Sequence, residues 1–217
     1  MSTRLGILGG MFDPVHNGHL EAARCAVQTL DLQRLHLVPC HIPNHRVAAS
    51  SEASHRLAML ELAIAADDRL CVDPIEIERQ RVSYTVETLA ALKAAHPDHT
   101  LVFVLGLDAF NTLPAWHRWH DLFGLCHFFV LARSDASVSE HTAGALELER
   151  RRVRSAQALF DAESGRVLIA EDFHNALSSS QVRRLLSQNA DVSGTLDPRV
   201  IAYIHQHRLY SEPARAL

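Results

Sequence analysis

The stretch GILGGMFDPVHNGHLEAA, residues 6–23, contains a change of period on which the reading of the whole chain turns. Together with Arg4 and Leu5, its start makes RLGILGG (4–10), a short apolar run of the kind that forms a strand buried on both faces. From Gly18 onward Leu20, Ala23, Val27 and Leu30 recur at three and four, which is one face of a helix. Between them, Gly9 and Gly10 let backbone come close to a ligand, and the first turn of the helix offers unpaired N–H groups and a positive dipole end. That combination suits an anion, most naturally a phosphate. His16 and His19 add imidazole N–H donors. Because a helix N-terminus disfavours a nearby cation, both are expected to stay neutral until a phosphate arrives.

Outward from this stretch, extended and helical patterns alternate. RLHLVPC (34–40), TLVFVLG (100–106), CHFFVLA (126–132) and RVLIA (166–170) read as strands, with RLCVD and IEIE as extended pieces around Pro74. ASHRLAMLELAIAA (53–66) reads as a helix with Ser50 and Ser51 available as caps, and SYTVETLAALKAAH (83–96) as one that starts at Ser or Thr. SSSQVRRLLSQ and DPRVIAYIHQH close the chain as helices, the second with Asp197 as N-cap and Pro198 at N1. The charged segment 137–160, with ELERRRVR, is expected to be a solvated helical insertion. The order predicts one α/β domain over 1–217, a Rossmann-like, doubly wound, mostly parallel sheet with helices on both faces. Ligands in such sheets bind beyond the carboxyl ends of the strands, which places 9–19, 39–46 and 106–119 at the site.

Composition narrows the function. Of 217 residues 47% are hydrophobic and 21% charged, the balance of an ordinary soluble globule. A formal net charge of -4 gives no general attraction to nucleic acid or an acidic membrane surface. The four cysteines form no CxxC pair, no run approaches a membrane span, and the apolar N-terminus lacks a cleavage pattern, so a reducing, cytoplasmic setting is expected. HExxH is absent and no carboxylate stands at matching spacing, so no protein-built metal site is expected. GxGxxG is missing too, and the second strand ends in Pro39-Cys40-His41 without the acidic residue a dinucleotide ribose would need.

GGMFDPVHNGH (9–19) closely resembles the signature loop of the HxGH nucleotidyltransferases, in the form typical of bacterial nicotinate mononucleotide adenylyltransferases. IPNHR (42–46), SYTVETL (83–89), GLDAFNTLPAW (106–116), LSSSQVRRLL (177–186) and LDPRVIAYIHQHRLY (196–210) follow in that family's order, so the resemblance spans nearly the whole chain. It implies transfer of AMP from ATP, with Mg²⁺, to nicotinate mononucleotide, giving nicotinate adenine dinucleotide and pyrophosphate in NAD biosynthesis. A phosphate monoester has its second pKa at about 6, so the nucleophile is already largely ionised and donors matter more than a base.

By that resemblance His16, His19 and Arg183 are the catalytic donors. Gly9, Gly10, Met11 and Phe12 line the nucleotide, Arg46, Arg133 and Ser180 serve the ATP site, and Gly106 with Asp108 takes the ribose. Trp116 stacks on the pyridine ring, Tyr84 and Thr85 receive the nicotinate carboxylate, and His117 adds a backbone contact. The sequence departs from the family at Met11, which removes a hydroxyl, at Asn44 for a proline, at LARSDA in place of RPG, which weakens the assignment of Arg133, and at Ser180 for Thr. Two other readings stand beside this one. One is a sister nucleotidyltransferase with a different phosphate acceptor, which SYT and Trp116 disfavour. The other is a nucleotide-sensing module without turnover, which the intact donors disfavour. A homo-oligomer is compatible with everything read so far.

Overall fold

A computed structural model describes residues 3–43, 49–133, 136–175 and 177–211. Its strands are β1 (Thr3–Gly10), β2 (Arg34–Pro39), β3 (Ile42–Pro43), β4 (Leu70–Val72), β5 (Val82–Ser83), β6 (His99–Gly106), β7 (His127–Leu131), β8 (Arg152–Val153) and β9 (Val167–Ala170). Its helices are α1 (Asn17–Leu30), α2 (Ala53–Ile64), α3 (Ile75–Glu78), α4 (Thr85–Ala95), α5 (Leu107–Asn111), α6 (Trp119–Leu125), α7 (Glu140–Ala145), α8 (Leu148–Arg151), α9 (Ala156–Leu159), α10 (Ser179–Ser187) and α11 (Pro198–His207).

Seven strands form one sheet in the order β4-β2-β1-β6-β7-β9-β8, every described pair parallel. Parallel strands need crossovers, and helices packed on both faces provide them. On one face Leu8, Leu37, Val102 and Val104 pack with Ala23 and Val27 of α1, Met59 and Leu60 of α2, Val182 of α10 and Ile204 of α11. On the other, Ile7, Phe103, Leu105, Phe128 and Val130 pack with Leu89 and Leu92 of α4, Phe110 of α5 and Leu122 of α6. Each fully buried Leu or Phe contributes about 1.5–3 kcal/mol, so these two layers hold the sheet in register. The chain winds one way through β1, β2 and β4 and the other way through β6, β7 and β9, so strand order reverses between β1 and β6. A crevice opens at the carboxyl ends of strands flanking such a reversal.

Several expectations are corrected by local contacts. IEIE is the short helix α3, because Pro74 fixes the entry angle and Asp73 Oδ1 accepts from the Ile75 N–H at 3.1 Å. α2 starts after Glu52, and Ser50 and Ser51 bond Asp13 instead of capping it. α4 starts after Tyr84, while Ser83 belongs to β5, which pairs with β3 in a separate two-stranded parallel sheet. Residues 137–160 hold three short helices together with a strand, β8, that pairs with β9 at the sheet edge, and Leu146, Leu148 and Leu159 are buried.

Candidate active site

A cavity of about 890 Å³ lies over the ends of β1 and β6, within the size range of small-ligand sites. Gly9, Gly10, Met11, Phe12, His16, His19, Tyr84, Thr85, Gly106, Asp108, Trp116, His117, Arg133, Ser180 and Arg183 all line it. Arg46 is the one predicted site residue that lies outside the described residues.

The donor half grows out of the β1–α1 connection. His16 is the N-cap of α1 and His19 sits in its first turn. The His16 backbone N–H donates to His19 Nδ1 at 3.2 Å, and the two rings stack with centroids 3.7 Å apart. Since Nδ1 of His19 is an acceptor, the neutral ring carries its proton on Nε2 and keeps that N–H as a donor. Phe12 is 1% exposed and sets its ring edge-on to His19 at 4.9 Å. The phenyl ring therefore supports the histidine rather than offering a face to the nucleotide, and its backbone is held at φ 49°, a left-handed value. Gly18 separates the histidines for a steric reason: a Cβ there would stand 2.6 Å from Asn175 Oδ1 and 3.0 Å from His16 Nδ1.

Burial pushes His16 down to about 4, and burial with the adjacent His16 holds His19 well below the usual histidine range. Both rings are thus held neutral, with desolvation as the leading cause.

Arg183 reaches the same region from α10. Its Nη1 donates to the Asp13 carbonyl at 2.6 Å and its Nη2 to Ser180 Oγ at 3.2 Å. α10 begins in a reciprocal cap: the Gln181 N–H donates to Ser178 Oγ at 3.3 Å and the Ser178 N–H to Gln181 Oε1 at 3.0 Å. Ser179 Oγ donates to the Pro14 carbonyl at 3.0 Å, which docks this helix start on the β1–α1 loop.

The opposite half is aromatic and polar. Trp116 follows a 3₁₀ turn, Leu113–Ala115, donates Nε1–H to Thr112 Oγ1 at 3.0 Å and meets Phe103 edge-on at 6.2 Å. Trp119, by contrast, stacks on His120 with centroids 3.6 Å apart. The ring of His117 packs against that of Tyr84 with centroids 4.5 Å apart. Asp108 is exposed in the first turn of α5, after Gly106 as N-cap, so it does not cap that helix itself.

Sequence reasoning missed Glu76, Thr88 and Asp13 in the lining and Arg56 and Tyr210 behind it. Thr88 Oγ1 donates to Glu76 Oε1 at 2.7 Å and accepts from Arg79 Nη1 at 3.1 Å. Burial pushes the Glu76 carboxyl above its usual range despite the Thr88 and Ser83 hydrogen bonds. The Asp in FDP was the available signal for Asp13, while an arginine on the apolar helix α2 was a weak one for Arg56.

Among the described residues no three His, Cys, Asp or Glu side chains group as metal ligands, and no helix is long and apolar enough to cross a membrane.

Residues 7–185 match the cytidylyltransferase-like family. A protein of Pseudoalteromonas atlantica named "Probable nicotinate-nucleotide adenylyltransferase" is 40% identical over 206 residues, covering 95% of this chain and 94% of its own. One of the same name from Pseudomonas fluorescens is 40% identical over 214 residues, covering 98% and 100%. In fold, the chain is similar to the Plasmodium falciparum nicotinic acid mononucleotide adenylyltransferase solved in complex with NaAD, at TM-score 0.73 and 20% identity over 96% of this chain and 97% of that one. With its HxGH loop, its paired strand ends and these relatives, the chain belongs to the nicotinate-nucleotide adenylyltransferase family.

Proposed function

We propose that this chain joins AMP from ATP to the phosphate of nicotinate mononucleotide, releasing pyrophosphate and forming nicotinate adenine dinucleotide for NAD biosynthesis. The observation that carries the reading is that one cavity holds phosphate donors at the β1–α1 turn and an aromatic shelf at Trp116. ATP lies with its triphosphate over Gly9 and Gly10 and the start of α1, its phosphates met by His16, His19, Ser180 and Arg183, its ribose by Gly106 and Asp108. Arg133 and Met11 complete the lining of the nucleotide, and Mg²⁺ bound with ATP would supply neutralisation of charge on the leaving pyrophosphate.

The acceptor stacks its pyridine ring on Trp116. Its carboxylate meets the start of α4 at Tyr84 and Thr85, where N–H groups and the dipole favour an anion over a neutral amide. The acceptor phosphate is largely ionised at neutral pH and attacks the α-phosphorus in line, so no side chain has to remove a proton. A neutral histidine in a dry site donates to the growing charge with little reorganisation. His19, neutral with its single ring proton on Nε2, offers that N–H as charge moves to the leaving pyrophosphate.

The test is pyrophosphate release by the purified protein with ATP and Mg²⁺. Nicotinate mononucleotide should be used far faster than nicotinamide mononucleotide. Equal rates would contradict the role of Tyr84 and Thr85, and release with neither would favour a nucleotide sensor.

A further inference from the structure

Behind the phosphate donors, Asp13 and Tyr210 form a buried polar cluster with Ser50, Ser51 and Arg183, and of these only Arg183 has a part in the transfer just described. Asp13, 3% exposed, accepts hydrogen bonds from the Ser50 N–H at 2.6 Å, Ser51 Oγ at 2.8 Å and the Tyr210 hydroxyl at 2.7 Å. Arg183 Nη1 stands 3.8 Å from its Oδ2 and donates to its backbone carbonyl. Arg56, 1% exposed, donates from Nη1 to the Met11 carbonyl at 2.8 Å. The Met11–Asp13 backbone is thereby gripped on both sides of Phe12.

A buried carboxylate is costly unless donors surround it, and here they come from segments remote in sequence. Burial pushes the Asp13 acid up, but the bonds from Ser50, Tyr210 and Ser51 and the charge of Arg183 overcome it and hold the acid below its usual range. The ionised form therefore persists next to Arg183. Tyr210, just past the end of α11, reaches 197 residues back along the chain to make this bond.

We infer that Tyr210 and Asp13 are positioning residues for the phosphate site: the tyrosine hydroxyl fixes the Asp13 carboxylate, which holds Arg183 where a triphosphate needs it. The inference rests on the adenylyl-transfer reading. It predicts energetic coupling between Tyr210 and Arg183, which a merely structural role for the tyrosine would not produce.

The experiment is a double-mutant cycle read by ATP affinity, measured calorimetrically without acceptor, on full-length protein whose melting temperature is recorded alongside. Tyr210→Phe keeps the ring and should weaken ATP binding about tenfold, the scale of a lost hydrogen bond to a charged group. In an Arg183→Ala background the same change should cost less than about twofold, because the group it acts through is gone. Ser51→Ala, which removes the neighbouring donor and leaves Tyr210 in place, should follow the same pattern. Equal losses in both backgrounds, or wild-type affinity in Tyr210→Phe and Ser51→Ala, would overturn the inference while leaving adenylyl transfer intact. Failure of the unmodified chain to bind ATP would instead overturn the underlying reading, and this inference with it.

Discussion

His16 and His127 are both pushed down to about 4 by burial, from the ordinary histidine value of 6.5. His127 is fully buried, accepting at Nδ1 from the Arg166 N–H and lying 3.1 Å from the Ala162 carbonyl at Nε2. For a base whose folded pKa is depressed, the unfolded chain binds more protons between the two values. Stability is therefore full above about pH 6.5 and is lost as pH falls toward 4. At pH 5 each ring costs about 2 kcal/mol. Asp13 and Asp73, held below their usual range, lose their contributions only at lower pH, as pH falls below the ordinary carboxylate value of 3.8. The melting temperature of the ligand-free protein should thus drop by several degrees between pH 7 and pH 5, and His127→Gln should flatten the slope. A pH-independent midpoint over that window would show that the rings are hydrated. The spacing of His16 and His19 marks them in the sequence. Their burial under Phe12 and against each other does not show there, because it depends on how the loop folds back.

Elements with an apolar period of their own were legible. β1, β2, β6, β7 and β9, and the helices α1, α2, α4, α10 and α11, fall where the pattern places them to within a few residues. β3, β5 and β8 are two residues long and α3 is four, too short to show any period, and each exists because of a partner: β3 and β5 have each other and β8 has β9. Trp116 shows how an element shapes the site. The 3₁₀ turn before it, the bond to Thr112 Oγ1 and the edge contact with Phe103 fix the indole in one orientation, so it can act as a rigid shelf. Trp116→Ala should raise KM for the pyridine nucleotide about tenfold with a smaller change in kcat, in steady-state assays at saturating ATP. An unchanged KM would return the indole to a packing role.

At the scale of the molecule, the fold assembles its site from four distant parts of the chain. The reversal of strand order between β1 and β6 sets the glycine loop beside Gly106 and Asp108. α10 then returns to place Arg183 on Asp13, and the segment after α11 returns again to place Tyr210 there. The alternation of strands and helices made the sheet class readable, and the motif order made most of the lining readable. The anchoring of Asp13 was not, since nothing in a local pattern pairs residues 13, 51 and 210. All of it depends on a nucleoside triphosphate lying across the β1–α1 turn. The most direct measurement is a crystal structure with a non-hydrolysable ATP analogue. The triphosphate should lie over Gly9 and Gly10, within hydrogen-bond reach of His16, His19 and Arg183, with the ribose at Asp108. A nucleotide bound elsewhere, with side chains filling that crevice, would contradict the account.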